Sequence, residues 1–172
     1  MEYACLIVLS LITTKNKFQI LMTEISFYHL QKSHLEEALP LLLEKTLELG
    51  KRAIVMVGSS AYAEQLNTYL WDYQKGAWLP HGTNKDGQGE NQPIWLTSVD
   101  ENPNGATFLF LADGAHSADI SAYERCFEMF DGNNTAQYTR ARKLWQSYKD
   151  AGHPLKYLKQ NDRGEWEEKA IG

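Results

Sequence analysis

Apolar positions along this chain recur in two rhythms, one of strands and one of helices. Ile25 to Leu30 is a short apolar-rich run, which predicts a strand. His34 to Leu49 follows with Leu35, Ala38, Leu39, Leu42, Leu43, Thr46 and Leu47 at three-to-four spacing, an amphipathic helix. Pro40 inside that pattern predicts a kink or a late start, and Gly50 a stop. Ala53 to Val57 is a continuous apolar run, the kind buried on both faces of a parallel sheet. Gly58-Ser59-Ser60 then turns the chain into a second helix, about Ala61 to Trp71. Strand, helix, strand, tight turn and helix in this order imply parallel strands joined by right-handed crossovers.

From Asp72 to Pro93 the chain becomes polar and glycine-rich, a pattern that predicts one long surface loop. Ile94–Thr97 and Thr107–Leu111 read as further strands, separated by a turn at Asn102-Pro103-Asn104-Gly105. Ala118 to Tyr123 suits a helical turn, and Arg125 to Phe130 a final strand. Asp131 to Thr135 supplies a turn and cap for a last helix that runs to about Asp150 and is closed by Gly152. Residues after Pro154 are polar and are expected to fray. The fold class expected is α/β: a single Rossmann-like domain with a mostly parallel sheet and helices on both faces.

The boundaries follow from the same pattern. Met22 stands just before the first strand, so residues 1–21 are read as an upstream extension outside the fold, 22–153 as the domain and 154–172 as a polar tail. Cys5 to Ile12 is too short to span a bilayer, and it lacks the preceding positive charge and the cleavage site of a signal peptide. No membrane partner is expected. The chain has 172 residues, enough for a core that needs no covalent staples. Its two cysteines, Cys5 and Cys126, form no framework, which points to a reducing, cytoplasmic setting. A net charge of −5 argues against broad nucleic-acid binding, which needs many cations to neutralise phosphates.

Motifs of catalysis are missing. The Gly58-Ser59-Ser60 turn lacks the spaced glycines of a dinucleotide fingerprint and the Gly-Lys-Ser/Thr of a phosphate loop. His29, His34, His81, His116 and His153 are scattered and have no partners at metal-ligand spacing. Neither a cofactor nor a metal is expected. The alternative is a small α/β enzyme that binds a nucleotide or phosphate at Gly58–Ser60, in the crevice at the strand ends.

The last helix is more informative. Ala141, Leu144, Tyr148 and Ala151 form a core-facing stripe, and Tyr138, Arg142, Trp145 and Lys149 a second one. From Thr135 to Gly152 there are four cations and one anion, on a chain that is acidic overall. Cations alternating with aromatics make a surface able to hold carboxylates and to stack on a ring, which points to an acidic partner. Stacking on single-stranded nucleic acid is a further use of such a stripe, but four cations give only a short groove. A second concentration of large apolar side chains, at Trp71, Tyr73, Trp78, Leu79 and Pro80, has the composition of a protein interface.

Several segments together resemble the chi subunit family of bacterial DNA polymerase III. They are Ile25–Leu30, Gly50–Val55, Leu70-Trp71 with Trp78-Leu79-Pro80-His81, Gln92–Leu96, and Arg142 to Gly152. The resemblance implies a Rossmann-like fold without a nucleotide site. It also implies a non-catalytic accessory role in the clamp loader of the polymerase holoenzyme, with DNA contacted mainly through partners. By similarity, Arg142 holds the terminal carboxylate or an acidic side chain in the C-terminal tail of single-stranded DNA-binding protein. Trp145 and Trp71 would line the pocket for the tail's final aromatic residue, and Lys149 would add electrostatic pull. Tyr138 stands where some relatives have a lysine, a loss that Arg140 or Lys143 could offset. A psi subunit, or another clamp-loader component, would contact Trp78, Leu79 and Pro80.

Overall fold

The structure is a computed structural model and describes residues 22–74 and 78–171; the expected extension at 1–21 lies outside them. Among these residues eight strands form one sheet: β1 (Glu24–Leu30), β2 (Ala53–Met56), β3 (His81–Thr83), β4 (Ile94–Thr97), β5 (Phe108–Leu111), β6 (Arg125–Asp131), β7 (Leu155–Gln160) and β8 (Trp166–Glu168). The helices are α1 (Leu35–Glu48), α2 (Ser60–Asp72) and α3 (Thr135–Asp150). Strand order is β3-β4-β2-β5-β6-β1-β7-β8, and every pairing is parallel except β7 with β8.

The direction of each crossover decides which face a helix covers. From β1 to β2, and from β2 to β3, the chain moves toward the β3 edge; from β6 to β7 it moves the other way. Right-handed connections running in opposite directions place their helices on opposite faces. Accordingly Leu39 and Leu43 of α1 and Leu66 and Leu70 of α2 share one core with Val55, Phe110 and Phe127. Ala141 and Tyr148 of α3 share the other with Ile25, Phe27, Ile54 and Leu109. The strands divide their side chains between these cores by simple alternation, which is why β2 and β5 are apolar at every position.

Local signals end the elements where the sequence places them. Gly50 adopts φ 68° and closes α1, with Gly50 N–H donating to the Leu47 carbonyl and Lys51 N–H to that of Thr46. Despite Pro40, α1 starts at Leu35: the proline sits in its second turn, where only one early backbone bond is forfeited.

Three expectations need correction. The polar stretch 72–93 is not one loop, because His81–Thr83 pairs with β4 as the sheet's edge. Asp86 braces that strand by accepting from the Thr83 N–H at 2.8 Å. Arg125 to Asp131 is not the final strand. Residues after Pro154, expected to fray as a polar tail, add β7 alongside β1 and β8 at the edge. Their polarity reflects a border position, with one side of β7 facing outward, and the backbone bonds to β1 hold them regardless. Buried Gln160 secures the junction, its side-chain oxygen accepting from the N–H groups of Gln31, Lys32 and Ser33.

Candidate functional site

Among the described residues α3 is the one α-helix on its face of the sheet, and part of its surface is exposed. Asn134 caps it, accepting from the N–H groups of Ala136 and Gln137, and Gly152 at φ 86° ends it. Ala141 and Tyr148 point into the core, while Leu144 and Trp145 pack at its border. Tyr148 donates to Glu128 on β6 at 2.9 Å, which ties the helix to the sheet.

Beside this anchored face lies an open cavity of about 450 Å³. Tyr138, Arg142 and Trp145 of α3 line it together with Phe130 of β6, Tyr157 of β7 and Ile171 beyond β8. Three of the five residues expected to form an acidic-tail site therefore meet in one place. The Trp145 ring packs edge-on against Phe27 (5.2 Å between centroids) and Tyr157 (5.8 Å), so the side chain is partly core and partly cavity wall. Phe130 lies 6.4 Å from both Tyr138 and Tyr157.

Behind these rings sits His29, buried on β1 and within 5.0–5.9 Å of Phe130, Tyr138 and Tyr157. Burial, helped by the positive charge of Lys159 and opposed by Asp131, lowers the His29 pKa. The Tyr157 hydroxyl is 2.7 Å from His29 Nδ1, and burial, with Tyr138 adding to it, pushes the phenol up to about 12. Tyr157 thus keeps its proton beside a neutral imidazole, and the tautomer of His29 sets which of the two donates. The result is an aromatic-lined cavity that Gln146 and the exposed Arg142 also line.

The remaining expected residues fall elsewhere. Lys149 is exposed on α3 but does not line the cavity. Among the described residues Arg142, Lys143 and Lys149 form no ion pair, so their charges are available to an anion. Arg140 is turned inward: its guanidinium donates to the Ala115 carbonyl and faces Glu128, so it cannot stand in for a missing surface lysine.

Trp71 does not join the cavity, which corrects the expectation that it lines the pocket with Trp145. It belongs to α2, on the opposite face of the sheet, where its ring lies 4.7 Å from that of His81 and is 61% exposed. Near it in the chain Trp78 is 78% exposed and Pro80 half-buried. Leu79 is buried in the α1/α2 core, so it anchors this segment and offers no surface to a partner. Trp71 and Trp78 instead mark an exposed aromatic area toward the β3 edge.

Sequence reasoning missed His29, Phe130, Tyr157 and Ile171. His29 carried a signal, an imidazole in an apolar-rich run; Tyr157 and Ile171 were hidden in the stretch expected to fray.

The turn at Gly58 is filled from within. A Cβ at Gly58 would collide with the Asp113 carbonyl, and the Asp113 carboxylate lies beside the same spot. Ser59 spends its hydroxyl oxygen capping α2 through the Tyr62 N–H. An anionic phosphate there would meet an acidic side chain and an occupied cap. No metal-binding group of three His, Cys, Asp or Glu residues occurs among the described residues, and no described helix is long and apolar enough to cross a membrane.

Residues 22–156 match the family described as DNA polymerase III chi subunit, HolC. A relative from Rickettsia prowazekii (strain Madrid E), named probable DNA polymerase III subunit chi, is 28% identical over 109 residues. That alignment covers 63% of this chain and 66% of the relative, just under two thirds of its length.

Proposed function

This chain belongs to the DNA polymerase III chi subunit family, and from that premise we propose that it is a non-catalytic adaptor in DNA replication. Its α3 cavity captures the acidic C-terminal tail of single-stranded DNA-binding protein, and the opposite face contacts psi or another clamp-loader component. DNA is reached mainly through these partners.

One observation carries the reading: the exposed Arg142 lines an aromatic cavity together with Tyr138, Trp145, Phe130 and Tyr157. An exposed guanidinium binds carboxylates through two parallel bonds, while the ring-lined interior takes a hydrophobic side chain. A peptide that ends in an aromatic residue offers both groups at once, its side chain for the cavity and its terminal carboxylate for Arg142. Lys143 and Lys149 supply attraction at longer range, which raises the association rate and makes binding salt-sensitive. On the other side of the sheet, Trp71, Trp78 and Pro80 present the large rings typical of protein interfaces.

The test is titration calorimetry of the full chain with a peptide copying the final acidic segment of the host's single-stranded DNA-binding protein. Micromolar binding is expected, weakened by salt. Because Arg142 is exposed, its replacement by Ala should weaken binding by roughly tenfold, the lower range for a bond to a charged group. Unchanged affinity in that variant would remove Arg142 from the mechanism; no binding at low salt by the folded protein would sink tail capture.

A further inference from the structure

The cavity has a wall that lies outside the family match. Residues 22–156 carry the match, yet Ile171 lines the cavity alongside Arg142 and Trp145. The path to it is well defined. After Pro154 the chain pairs with β1 as β7, turns at Gly164 (φ 80°), and returns as β8. Lys169 N–H donates to the Tyr157 carbonyl at 2.8 Å, carrying the pairing one step beyond β8. Ile171 follows two residues later and is 42% exposed, so more than half of its surface is covered.

We propose that this C-terminal arm is a functional part of the binding site, with Ile171 as a specificity-determining wall that contacts the terminal side chain of a bound acidic peptide. The inference rests on the tail-capture reading above. Geometry favours a wall over a plug: with Ile171 in place, about 450 Å³ of open space remains beside the aromatic rings. Chemistry fits as well. Ile171 adds a methyl-bearing, uncharged surface to a cavity that Tyr138, Trp145, Gln146, Phe130 and Tyr157 also line, and among the described residues Arg142 alone supplies charge to that lining. The arm would therefore act on the side chain of the ligand's last residue and leave its carboxylate to Arg142. Strand β8 pairs with β7 alone, and its Trp166 ring packs edge-on against Tyr28 of β1; Ile171 lies beyond both contacts, so changing it leaves the core in place.

The experiment measures binding of two fluorescent acidic peptides, identical except that one ends in Phe and the other in Ala. The proteins are the full-length chain and its Ile171→Ala, Ile171→Asp and Arg142→Ala variants, each checked for an unchanged melting temperature. Ile171→Ala should weaken the Phe-ended peptide roughly fivefold, as expected for losing a partly buried aliphatic contact, and leave the Ala-ended peptide unchanged. Ile171→Asp should weaken the Phe-ended peptide further, and Arg142→Ala should weaken both peptides alike. Tighter binding by Ile171→Ala would identify the arm as a plug and overturn the proposal. So would equal effects on the two peptides, or none, while the native chain binds and Arg142→Ala binds more weakly. If the native chain itself binds neither peptide, tail capture fails and this inference falls with it.

Discussion

Glu128 is the buried ionisable group beneath the helix that carries the candidate site. It lies on β6, 5% exposed, and accepts the Tyr148 hydroxyl bond that ties α3 to the sheet. Burial raises its carboxyl from the ordinary 4.5 to about 7, against the opposing effects of the Tyr148 bond and the Arg140 charge. In the unfolded chain the same group titrates near its ordinary value. Between those two pH values the folded state therefore holds a proton that the unfolded state has released. The stability carried by that proton is complete below the unfolded pKa and is lost as pH rises through the folded one, at about 1.4 kcal/mol per pH unit. A rise from 4.5 to about 7 makes the total about 3 kcal/mol. The buried Cys126 thiol beside it is also pushed up, so it stays protonated throughout and adds nothing to this slope.

Glu128→Gln preserves the shape and an oxygen acceptor for Tyr148, but it cannot ionise. Urea unfolding of both proteins at about pH 5 and about pH 8 is the assay, and the difference between them cancels titrations they share. Near pH 5 the variant should match the native protein or fall slightly below it. Near pH 8 it should be the more stable by about 2–3 kcal/mol. A gap that does not change with pH, or a variant that loses ground as pH rises, would mean that Glu128 is ionised and stabilised in the fold. The account of its burial would then be wrong.

Two further predictions follow from the arrangement of the faces. Trp71→Ala should leave the affinity for the acidic tail peptide unchanged, because α2 and α3 cover opposite faces; a loss like that of Arg142→Ala would place Trp71 back in the site. Gly132→Ala should destabilise by about 1–3 kcal/mol in urea unfolding, since a Cβ there would overlap the His29 ring. Adding His29→Ala should make that glycine change nearly neutral, and simple additivity of the two changes would refute the contact.

Much of this was legible in the chain because it rests on local physics. The apolar run Ala53–Val57 reads as a doubly buried strand, and the stripe Tyr138, Arg142, Trp145 reads as a helix face, since both periods are set by backbone geometry. Asn134 and the closing glycines act within one turn of chain, so they too are visible. His81–Thr83 was not, because three polar or small residues become a strand only when β4 offers its edge. The same holds for Leu155–Gln160, whose strand character comes from β1, far away in the chain, and not from its own polarity.

By itself, then, the sequence determined the α/β class, the helix that bears the candidate site and the charge and rings on that helix. Each of these follows from spacing along a single segment. Only the tertiary structure decided what those rings face. The reversal of crossover direction put α3 across the sheet from α2, which separated Trp71 from Trp145. Parallel pairing of β1 with β6 and β7 brought His29, Phe130 and Tyr157 together from distant stretches of chain, and the arm beyond β8 set Ile171 at the rim. A cavity is a property of elements that meet, and sequence periodicity describes each element alone.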